Sequence, residues 1–207
     1  MIAIIDYGMG NLRSVAKALE AAGAKNVKVT SSPALISKAN KLVLPGVGAM
    51  QEAMRELRKL RLIEVIKKNI FIKPFLGICL GLQLLFTESE EGGKVGGLGI
   101  FKGRVKRFSH QLKVPHIGWN QVKLKTQDPG GRRQECFMLK AIPDNSYFYF
   151  CHSYYVVPED KSLIALTTDY GIEFTSGIRR DNLFACQFHP EKSQRLGLRL
   201  LENFLKL

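Results

Sequence analysis

Short apolar runs alternate with amphipathic segments through the first half of the chain. Residues 2–5 form a compact apolar run, which predicts a strand, and residues 12 to about 22 show the helical spacing of apolar positions. Asn11 is suited to cap the first turn of this helix, and Gly23 is suited to end it. A strand followed by a helix in this way is typical of an α/β protein.

The alternation of strands and helices continues to about residue 86. Further strands are predicted at residues 27–29, 42–44 and 75–78, and two amphipathic helices are predicted within residues 49–69. The apolar segment at residues 80–86 predicts another helix. Strands separated by helices at this spacing favour a parallel sheet that is covered on both faces.

The second half of the chain carries mostly β-type patterns. A glycine-rich loop, GGKVGGLG, precedes them, and a helical pattern returns only at residues 194–207. No Pro- or Ser-rich linker separates the two halves. We therefore predict one domain over residues 1–207, an α/β fold with a mostly parallel central sheet flanked by helices and an antiparallel-rich second half. The strands predicted in that half are residues 101–108, 121–124, 147–151, 163–168 and 184–188.

The composition is that of a globular protein with an unusual charge. Of the 207 residues 45% are apolar and 24% are charged, and the formal net charge is +13. Three explanations of this charge compete: nucleic-acid binding, an acidic partner or substrate, and a well-solvated surface. No apolar run approaches the roughly 20 residues that span a bilayer, and the N-terminus does not resemble a secretion signal, so we expect a cytoplasmic protein.

The four cysteines, Cys79, Cys136, Cys151 and Cys186, show no CxxC spacing. The absence of CxxC pairs argues against a zinc ribbon, and nothing in the positions of the cysteines supports a disulfide framework. We expect no metal and no cofactor, and each cysteine has to be judged by its own surroundings.

The segment Gly77-Ile78-Cys79-Leu80-Gly81 runs from an apolar strand straight into an apolar helix. It resembles a nucleophile elbow, in which the nucleophile has a strained backbone and the flanking glycines avoid collisions. Cys79 would then lie at a helix N-terminus, where unpaired N–H groups favour the thiolate, and the Leu80 N–H would help to hold an oxyanion. A buried structural cysteine is the alternative interpretation.

A thiolate nucleophile needs a base, and His189 is the best candidate among the four histidines. It ends an apolar strand at residues 183–188, and that end should meet the same sheet edge as Cys79. Pro190 restricts the backbone directly after His189, and Glu191 can bend back to accept a hydrogen bond from the imidazole. A solvated turn is the alternative for His-Pro-Glu taken alone.

The other histidines are assigned no chemistry. His110 lies in a polar segment, where a surface histidine is expected, and His116 lies in a short PHIGWN stretch. His152 directly follows Cys151 in a predicted strand, which places their side chains on opposite faces of a sheet. We therefore interpret Cys151 as structural.

A turn free of bulky side chains, Pro45-Gly46-Val47-Gly48, closes another predicted parallel strand. It is either a plain turn or a backbone segment beside Cys79 that offers N–H groups to a substrate carbonyl, with glycine allowing the peptide to reorient. The second interpretation is favoured because the segment belongs to the same sheet edge.

The PG-G segment, the G-x-C-x-G elbow and the late His-Pro-Glu together resemble the triad-type, or class I, glutamine amidotransferases, which have a flavodoxin-like fold. The three motifs occur in the family's order and span nearly the whole chain. The stretches IDYGMGNLRSV, GICLGLQLLF, PHIGWN, YFYFCHSYY and QFHPEKS are similar to one branch of that family, the glutaminase subunits of imidazole glycerol phosphate synthases. Residues 126–135 match no family pattern and are expected to form a surface loop.

The resemblance implies that Cys79, His189 and Glu191 form a catalytic triad that hydrolyses glutamine to glutamate and ammonia. It implies that the backbone N–H groups of Val47 and Leu80 hold the oxyanion. The residues that it implies for holding glutamine are Gly46, Gly48, Gln83, Glu91, Ser153 and Tyr154.

The resemblance also implies a heterodimer with a cyclase subunit, a (β/α)8 barrel. That partner would use the ammonia to make imidazole glycerol phosphate and AICAR in histidine biosynthesis. Glutaminase activity in this family is weak until the partner carries its ligand. The residues implied to face the cyclase are Trp119, Asn120, Tyr149 and Lys192.

Two rival functions stay open from the sequence. Another triad-type amidotransferase or a stand-alone cysteine hydrolase would share the fold but would need no barrel partner. A basic nucleic-acid-binding protein would explain the +13 charge, yet the chain has no zinc motif, no RNP-type aromatic strand and no recognisable helix-turn-helix. We therefore expect glutamine as the small-molecule substrate, no nucleic acid and no membrane.

Overall fold

A computed structural model describes residues 1–109, 111–125 and 136–207. The expectations of a surface histidine at His110 and a surface loop at residues 126–135 lie outside the described residues. The helices are α1 (Leu12–Ala21), α2 (Pro33–Lys38), α3 (Met50–Lys59), α4 (Leu62–Asn69), α5 (Leu80–Gln83) and α6 (Gln194–Lys206). The strands are β1 (Ile2–Ile5), β2 (Val27–Thr30), β3 (Lys41–Gly46), β4 (Phe75–Cys79), β5 (Phe86–Ser89), β6 (Val95–Gly96), β7 (Phe101–Arg107), β8 (His116–Leu124), β9 (Ser146–His152), β10 (Tyr154–Pro158), β11 (Ile164–Asp169), β12 (Glu173–Arg180) and β13 (Leu183–Cys186). Short 3-10 turns lie at Phe137–Leu139, Lys161–Leu163 and Pro190–Lys192.

Five strands of the described chain form the parallel half of the sheet. Their order is β2-β1-β3-β4-β13, and each pairs in parallel with its neighbours. The predicted parallel sheet is therefore confirmed. Because β13 comes from the far end of the chain and lies directly beside β4, the residues that follow these two strands emerge at the same edge.

Apolar side chains cover both faces of the parallel strands. Along β3, Leu42 and Leu44 belong to one core and Val43 belongs to the other. The first core includes side chains of α2, α3 and α4, and the second includes side chains of α1 and α6. Burial on both faces explains why these strands read as continuous apolar runs in the sequence.

Helix α1 begins and ends close to where the sequence predicts. At the start of α1, the Ser14 N–H donates to Oδ1 of Asn11 at 3.3 Å, so the predicted cap is present. Gly23 follows α1 with φ 105°, a conformation that favours glycine. None of the helices in the described ranges has both the length and the apolar character needed to cross a membrane.

The second half of the chain extends this sheet with antiparallel strands. β12 pairs with β13, β10 and β11, and β10 also pairs with β7, all in antiparallel orientation. β8 and β9 form a long antiparallel pair in which His116 lies opposite His152 and Trp119 lies opposite Tyr149. The predicted fold class, with its antiparallel-rich second half, is confirmed.

The helix predicted at residues 80–86 is shorter than expected. α5 ends at Gln83, and the chain soon continues as β5. The carbonyl of Leu85 accepts hydrogen bonds from the N–H groups of Ile100 and Phe101. Pairing with this later segment overrides the local helical pattern.

Other differences concern the strands of the second half. The strand predicted up to residue 188 ends at Cys186, so His189 follows two residues of irregular chain. β12 escapes prediction because it buries polar residues: Ser176 is fully buried, and its hydroxyl accepts from the hydroxyl of Thr168 at 2.8 Å. The elements that the sequence patterns miss are α2, β5, β6, β10 and β12.

Candidate active site

The segment after β4 is a sharp turn with Cys79 at its centre. Cys79 has φ 53° and ψ −107°, a backbone conformation that residues other than glycine rarely adopt. A Cβ atom on Gly81 would lie 1.8 Å from the carbonyl oxygen of Leu44, and one on Gly77 would lie 3.2 Å from the backbone of Gly81. Only glycine fits at Gly81, and a side chain at Gly77 would crowd the same bend, as expected for an elbow.

His189 follows β13 at the same edge of the sheet. Its N–H donates to the carbonyl of Tyr149 at 2.9 Å, and its own carbonyl accepts from the hydroxyl of Ser193 at 2.7 Å. These two bonds hold the backbone of His189 in place. The imidazole lines the same cavity as Cys79 and interacts with it electrostatically.

Glu191 returns to His189 through the 3-10 turn Pro190–Lys192. Its Oε1 lies 2.8 Å from Nδ1 of His189, and the two side chains are 2% and 3% exposed, respectively. Because a carboxylate only accepts hydrogen bonds, His189 carries a proton on Nδ1. Within the described residues, no group hydrogen-bonds Oε2, the other oxygen of this buried carboxylate.

Two opposing influences act on the pKa of His189. Burial lowers this pKa, whereas the hydrogen bonds to Cys79 and Glu191 and the negative charges of these groups raise it, and the pKa moves from its ordinary 6.5 up to about 10. His189 is therefore an imidazolium at neutral pH. A cysteine beside an imidazolium is well placed to act as a nucleophile.

A cavity of about 410 Å³ opens beside Cys79 and His189. Cavities of this size hold small molecules. The sequence-predicted residues that line it are Val47, Gly48, Cys79, Leu80, Gln83, Glu91, Ser153, Tyr154, His189 and Lys192. Four lining residues that the sequence did not predict are Ala49, Pro115, Cys151 and His152. Gly46 and Glu191 do not belong to the lining, and Gly46 lies opposite Cys79 in the pairing of β3 with β4.

Two polar side chains of the lining already bond within the protein. Nε2 of Gln83 donates to the carbonyl of Tyr154 at 3.0 Å. A carboxylate oxygen of Glu91 accepts from the N–H of Met50 at 2.7 Å, at the start of α3. Glu91 therefore ties the loop after β5 to the PG-G turn that precedes α3.

Comparison with known proteins identifies the family. Residues 3–207 match the family described as glutamine amidotransferase class-I. The chain is 53% identical over 207 residues to imidazole glycerol phosphate synthase subunit HisH of Acinetobacter baylyi, which covers 99% of this chain and 97% of that one. It is 54% identical over 202 residues to the HisH subunit of Aquifex aeolicus, which covers 97% and 94%. The chain belongs to the class-I glutamine amidotransferases, in their HisH branch.

Solved structures at lower identity share the fold of this glutamine amidotransferase. PurLQS from Thermotoga maritima has a TM-score of 0.74 at 17% identity, over 99% of this chain and 97% of that one. A crystal structure described as a glutamine amidotransferase has a TM-score of 0.70, also at 17% identity and over 99% and 97% of the two chains. The predicted class-I glutamine amidotransferase fold is confirmed.

Three residues that the resemblance assigns to a partner lie together near the cavity of the amidotransferase. Trp119 on β8 is opposite Tyr149 on β9, and their rings are in edge contact with 6.2 Å between centroids. Nζ of Lys192 lies 5.5 Å from the centroid of the Tyr149 ring. Trp119 is 45% exposed, so it is not a core side chain. We call these three residues, with Asn120, the aromatic face.

The side chain of Asn120 bonds into the protein. Its Oδ1 accepts from the N–H of Gln121 at 2.8 Å, which directs Nδ2 to the carbonyl of Asp169 at 2.8 Å and to Nε2 of His116 at 3.2 Å. The amide of Asn120 is therefore used within the subunit.

Two buried histidines that the sequence left without a role continue from Asn120 to the cavity. Nδ1 of His116 lies 3.0 Å from Nε2 of His152, and Nδ1 of His152 lies 2.7 Å from the carbonyl of Tyr154. A carbonyl only accepts, so His152 carries its proton on Nδ1. Burial lowers the pKa of His152 to about 3, although the hydrogen bond to Tyr154 acts in the opposite direction, and the ring is neutral at pH 7. The sequence signal that could have pointed to His116 and His152 is their position within the PHIGWN and YFYFCHSYY stretches.

The interpretation of Cys151 as a structural cysteine is wrong. Its side chain is exposed and lines the cavity, and its carbonyl oxygen lies 3.9 Å from the sulfur of Cys79. The neighbouring His152 is buried, in agreement with the predicted opposite orientation of the two side chains. The alternation of β9 explains the correction, because every second residue of this strand faces outward.

Proposed function

We propose that the chain hydrolyses glutamine through a triad of Cys79, His189 and Glu191, as the glutaminase subunit of an imidazole glycerol phosphate synthase. The observation that carries the proposal is a strained elbow cysteine beside an imidazolium whose Nδ1 lies 2.8 Å from a buried carboxylate. The 53% identity to a HisH subunit supports this choice of reaction. One connected sheet supports treating residues 1–207 as a single glutaminase domain.

The reaction begins with attack by the sulfur of Cys79 on the side-chain amide carbon of glutamine. A C–S bond forms, and the carbonyl electron pair moves to oxygen. The N–H groups of Leu80 and Val47 hold this oxyanion. His189 then gives its Nε2 proton to the leaving nitrogen, the C–N bond breaks, and ammonia departs from a glutamyl thioester.

Water completes the cycle by attacking the thioester. His189 takes a proton from the water at Nε2, the C–S bond breaks, and glutamate leaves. The base needs a lower pKa than the resting imidazolium has. Acylation supplies this change, because it removes the charge of Cys79, one of the two charges that raise the pKa of His189. Glu191 keeps Nδ1 protonated throughout, so Nε2 is the atom that gives and takes the proton.

The other polar groups of the cavity hold glutamine. Because Gln83 uses its amide nitrogen on the carbonyl of Tyr154, it offers its amide oxygen to the ligand. The remaining residues proposed to contact glutamine are Gly46, Gly48, Glu91, Ser153 and Tyr154.

The same proposal assigns the aromatic face to a (β/α)8-barrel cyclase subunit that receives the ammonia and forms imidazole glycerol phosphate. The exposed ring of Trp119, in edge contact with the half-buried ring of Tyr149, is typical of protein interfaces. The net charge of +13 would speed docking to an acidic surface, and this effect would weaken as salt rises. The PG-G turn is suited to reorient when the partner binds, since Gly48 has φ 96°.

The measurement that tests this function is glutamate release from glutamine, with and without the cyclase subunit and its ligand. We expect release by the native chain to depend on the loaded cyclase. Cys79→Ala should release no glutamate above background, because no other group replaces the attacking sulfur. Cys136→Ala is a matched control, since Cys136 lines a separate cavity, and it should behave as the native chain does.

Two outcomes would contradict the proposal in different places. Release by Cys79→Ala at the native rate would show that the nucleophile is wrongly assigned. Equal release with and without the loaded cyclase would refute the role as a partner-dependent subunit and would favour a stand-alone hydrolase.

A further inference from the structure

One buried amide contacts the proposed nucleophile and has no part in the mechanism above. Gln187 follows β13 directly and is fully buried, and its Nε2 lies 3.5 Å from the sulfur of Cys79. Gln187 does not line the cavity, so it reaches the sulfur from inside the protein. Its contact with the site is therefore with the nucleophile and not with glutamine.

The orientation of the Gln187 amide is dictated by a backbone carbonyl. The carbonyl of Tyr154 only accepts, so the group of Gln83 that lies 3.0 Å from it must be the amide nitrogen. The same nitrogen lies 3.0 Å from Oε1 of Gln187 and donates its second hydrogen there. Gln187 thus turns its oxygen to Gln83 and its N–H to Cys79. The flipped amide would set N–H against N–H in a buried place, which is costly.

The backbone of Gln187 is held as well. Its N–H donates to the carbonyl of Ser176 at 2.9 Å, which continues the pairing of β13 with β12 beyond the end of the strand. With both its backbone and its amide held, Gln187 presents an oriented donor. Such a donor stabilises a negative charge without having to reorganise when the charge forms.

We propose that Gln187 is a positioning residue, which donates a hydrogen bond to the sulfur of Cys79 and holds the thiolate for attack. The inference rests on the proposed function, because it takes Cys79 as the nucleophile. A hydrogen bond to a charged acceptor favours the charged form, so loss of this donor disfavours the thiolate. Because Gln187 does not line the cavity and reaches its wall only through Cys79 and Gln83, we expect its loss to lower kcat more than it raises KM for glutamine.

The test is the pH dependence of alkylation of Cys79 by iodoacetamide, followed by mass spectrometry of the peptide that contains Cys79. Gln187→Met keeps the length of the side chain and removes the donor. We expect its alkylation midpoint to move about one to two pH units upward, the shift that corresponds to loss of a hydrogen bond to a charged group. With the loaded cyclase, kcat should fall by about 10-fold or more.

A matched control removes another buried amide far from the sulfur. Asn203 on α6 is buried and donates to the carbonyls of Met138 at 3.0 Å and Lys140 at 2.8 Å. Asn203→Leu should destabilise the fold and leave the alkylation midpoint of Cys79 where it is in the native chain. A shift in this control as large as that in Gln187→Met would overturn the proposal, because the shift would then report general loosening.

A second variant keeps the proposal open to refutation if Gln187→Met does not fold. Gln187→Glu has the native shape but turns a carboxylate oxygen to the sulfur, so the midpoint should rise further than in the methionine variant. A native midpoint in either folded variant would refute the role of Gln187. Alkylation needs neither glutamine nor the cyclase, so a failure of this inference is distinct from a failure of the glutaminase assay that tests the function.

Discussion

Two buried histidines line the same cavity and differ in charge. His189 and His152 are 3% and 6% exposed, so burial acts on both rings in the same direction. The pKa of His189 nevertheless rises to about 10, because Cys79 and Glu191 outweigh burial. The pKa of His152 falls to about 3, because burial lowers it, the charges of His116 and His189 lower it further, and only the hydrogen bond to the carbonyl of Tyr154 acts in the opposite direction. The partners of a buried histidine therefore decide its charge.

The two histidines also differ in their hydrogen-bond partners, and therefore in what each can do within the site. His189 has a carboxylate on Nδ1 and interacts with Cys79, the proposed nucleophile, which is an arrangement suited to moving protons. His152 has a backbone carbonyl on Nδ1 and a neighbouring ring on Nε2, which is the arrangement for keeping a fixed tautomer. The carbonyl of Tyr154 that orients His152 also orients Gln83, so the neutral histidine helps to hold the wall against which glutamine is proposed to bind.

The largest effect on this comparison is expected from Glu191→Gln. The variant removes the charge opposite Nδ1, so the pKa of His189 should fall toward that of an ordinary histidine, and kcat for glutamate release should fall by roughly 10²- to 10⁴-fold. Histidine ring NMR and assays with the loaded cyclase measure the two effects. Glu173→Gln is the control, since Glu173 is exposed and pairs with Lys125 at 3.4 Å outside the cavity. An unchanged pKa of His189 in Glu191→Gln would show that Glu191 does not set its charge.

A second prediction concerns stability in acid. The pKa of His152 is about 3 in the folded chain and ordinarily 6.5, so between these values the unfolded chain binds the proton and the folded chain does not. The contribution of His152 is therefore present above pH 6.5 and is lost as the pH falls toward 3, at about 1.4 kcal/mol per pH unit. His189 has the opposite sign: its contribution is present below pH 6.5 and is lost as the pH rises through about 10.

The measurement is urea unfolding of the native chain and of His152→Gln from pH 7 to pH 4. Glutamine retains an N–H for the carbonyl of Tyr154 and has no proton to gain in this range. We expect the difference in the free energy of unfolding between the two chains to change with pH by nearly the slope given above. Parallel curves for the two chains would mean that His152 is already protonated in the folded state or that it titrates normally.

The surroundings of the charged histidine, His189, could be predicted from the sequence because they are built mostly from residues close to one another in the chain. Cys79 lies in a five-residue pattern whose glycines avoid collisions, and Glu191 lies two residues from the histidine that it orients. The one long-range step, that Cys79 and His189 meet, followed from the rule that parallel strands expose their carboxyl ends at one edge.

The surroundings of the neutral histidine, His152, could not be predicted from the sequence, and the reason is physical. His116 and His152 are brought together by the register of two antiparallel strands, and Gln187 reaches Gln83 across 104 residues of sequence. Such contacts depend on pairing register, which apolar patterns do not specify for strands with polar buried positions. β12, whose buried Ser176 conceals the alternation, is the element missed for the same reason.

The smallest of the expected effects comes from Asn120→Ala, at the outer end of the neutral histidine pair. The variant loses the donors to Nε2 of His116 and to the carbonyl of Asp169, and it loses the acceptor for the N–H of Gln121. Loss of these hydrogen bonds between neutral groups at a half-buried site should lower the free energy of unfolding by about 1 kcal/mol. His152 should keep its proton on Nδ1, as ¹⁵N NMR of the ring can show, because the carbonyl of Tyr154 is unchanged.

Asn40→Ala is the matched control for this last prediction. Asn40 is exposed, and its Oδ1 accepts from the N-terminal ammonium of Met1 at 2.8 Å, so its loss should cost less than that of Asn120. Equal costs for the two variants would mean that Asn120 contributes nothing beyond an ordinary surface amide. A change in the tautomer of His152 in Asn120→Ala would instead mean that the outer end of the pair controls the ring that lines the cavity, and that the carbonyl of Tyr154 alone is not enough to orient it.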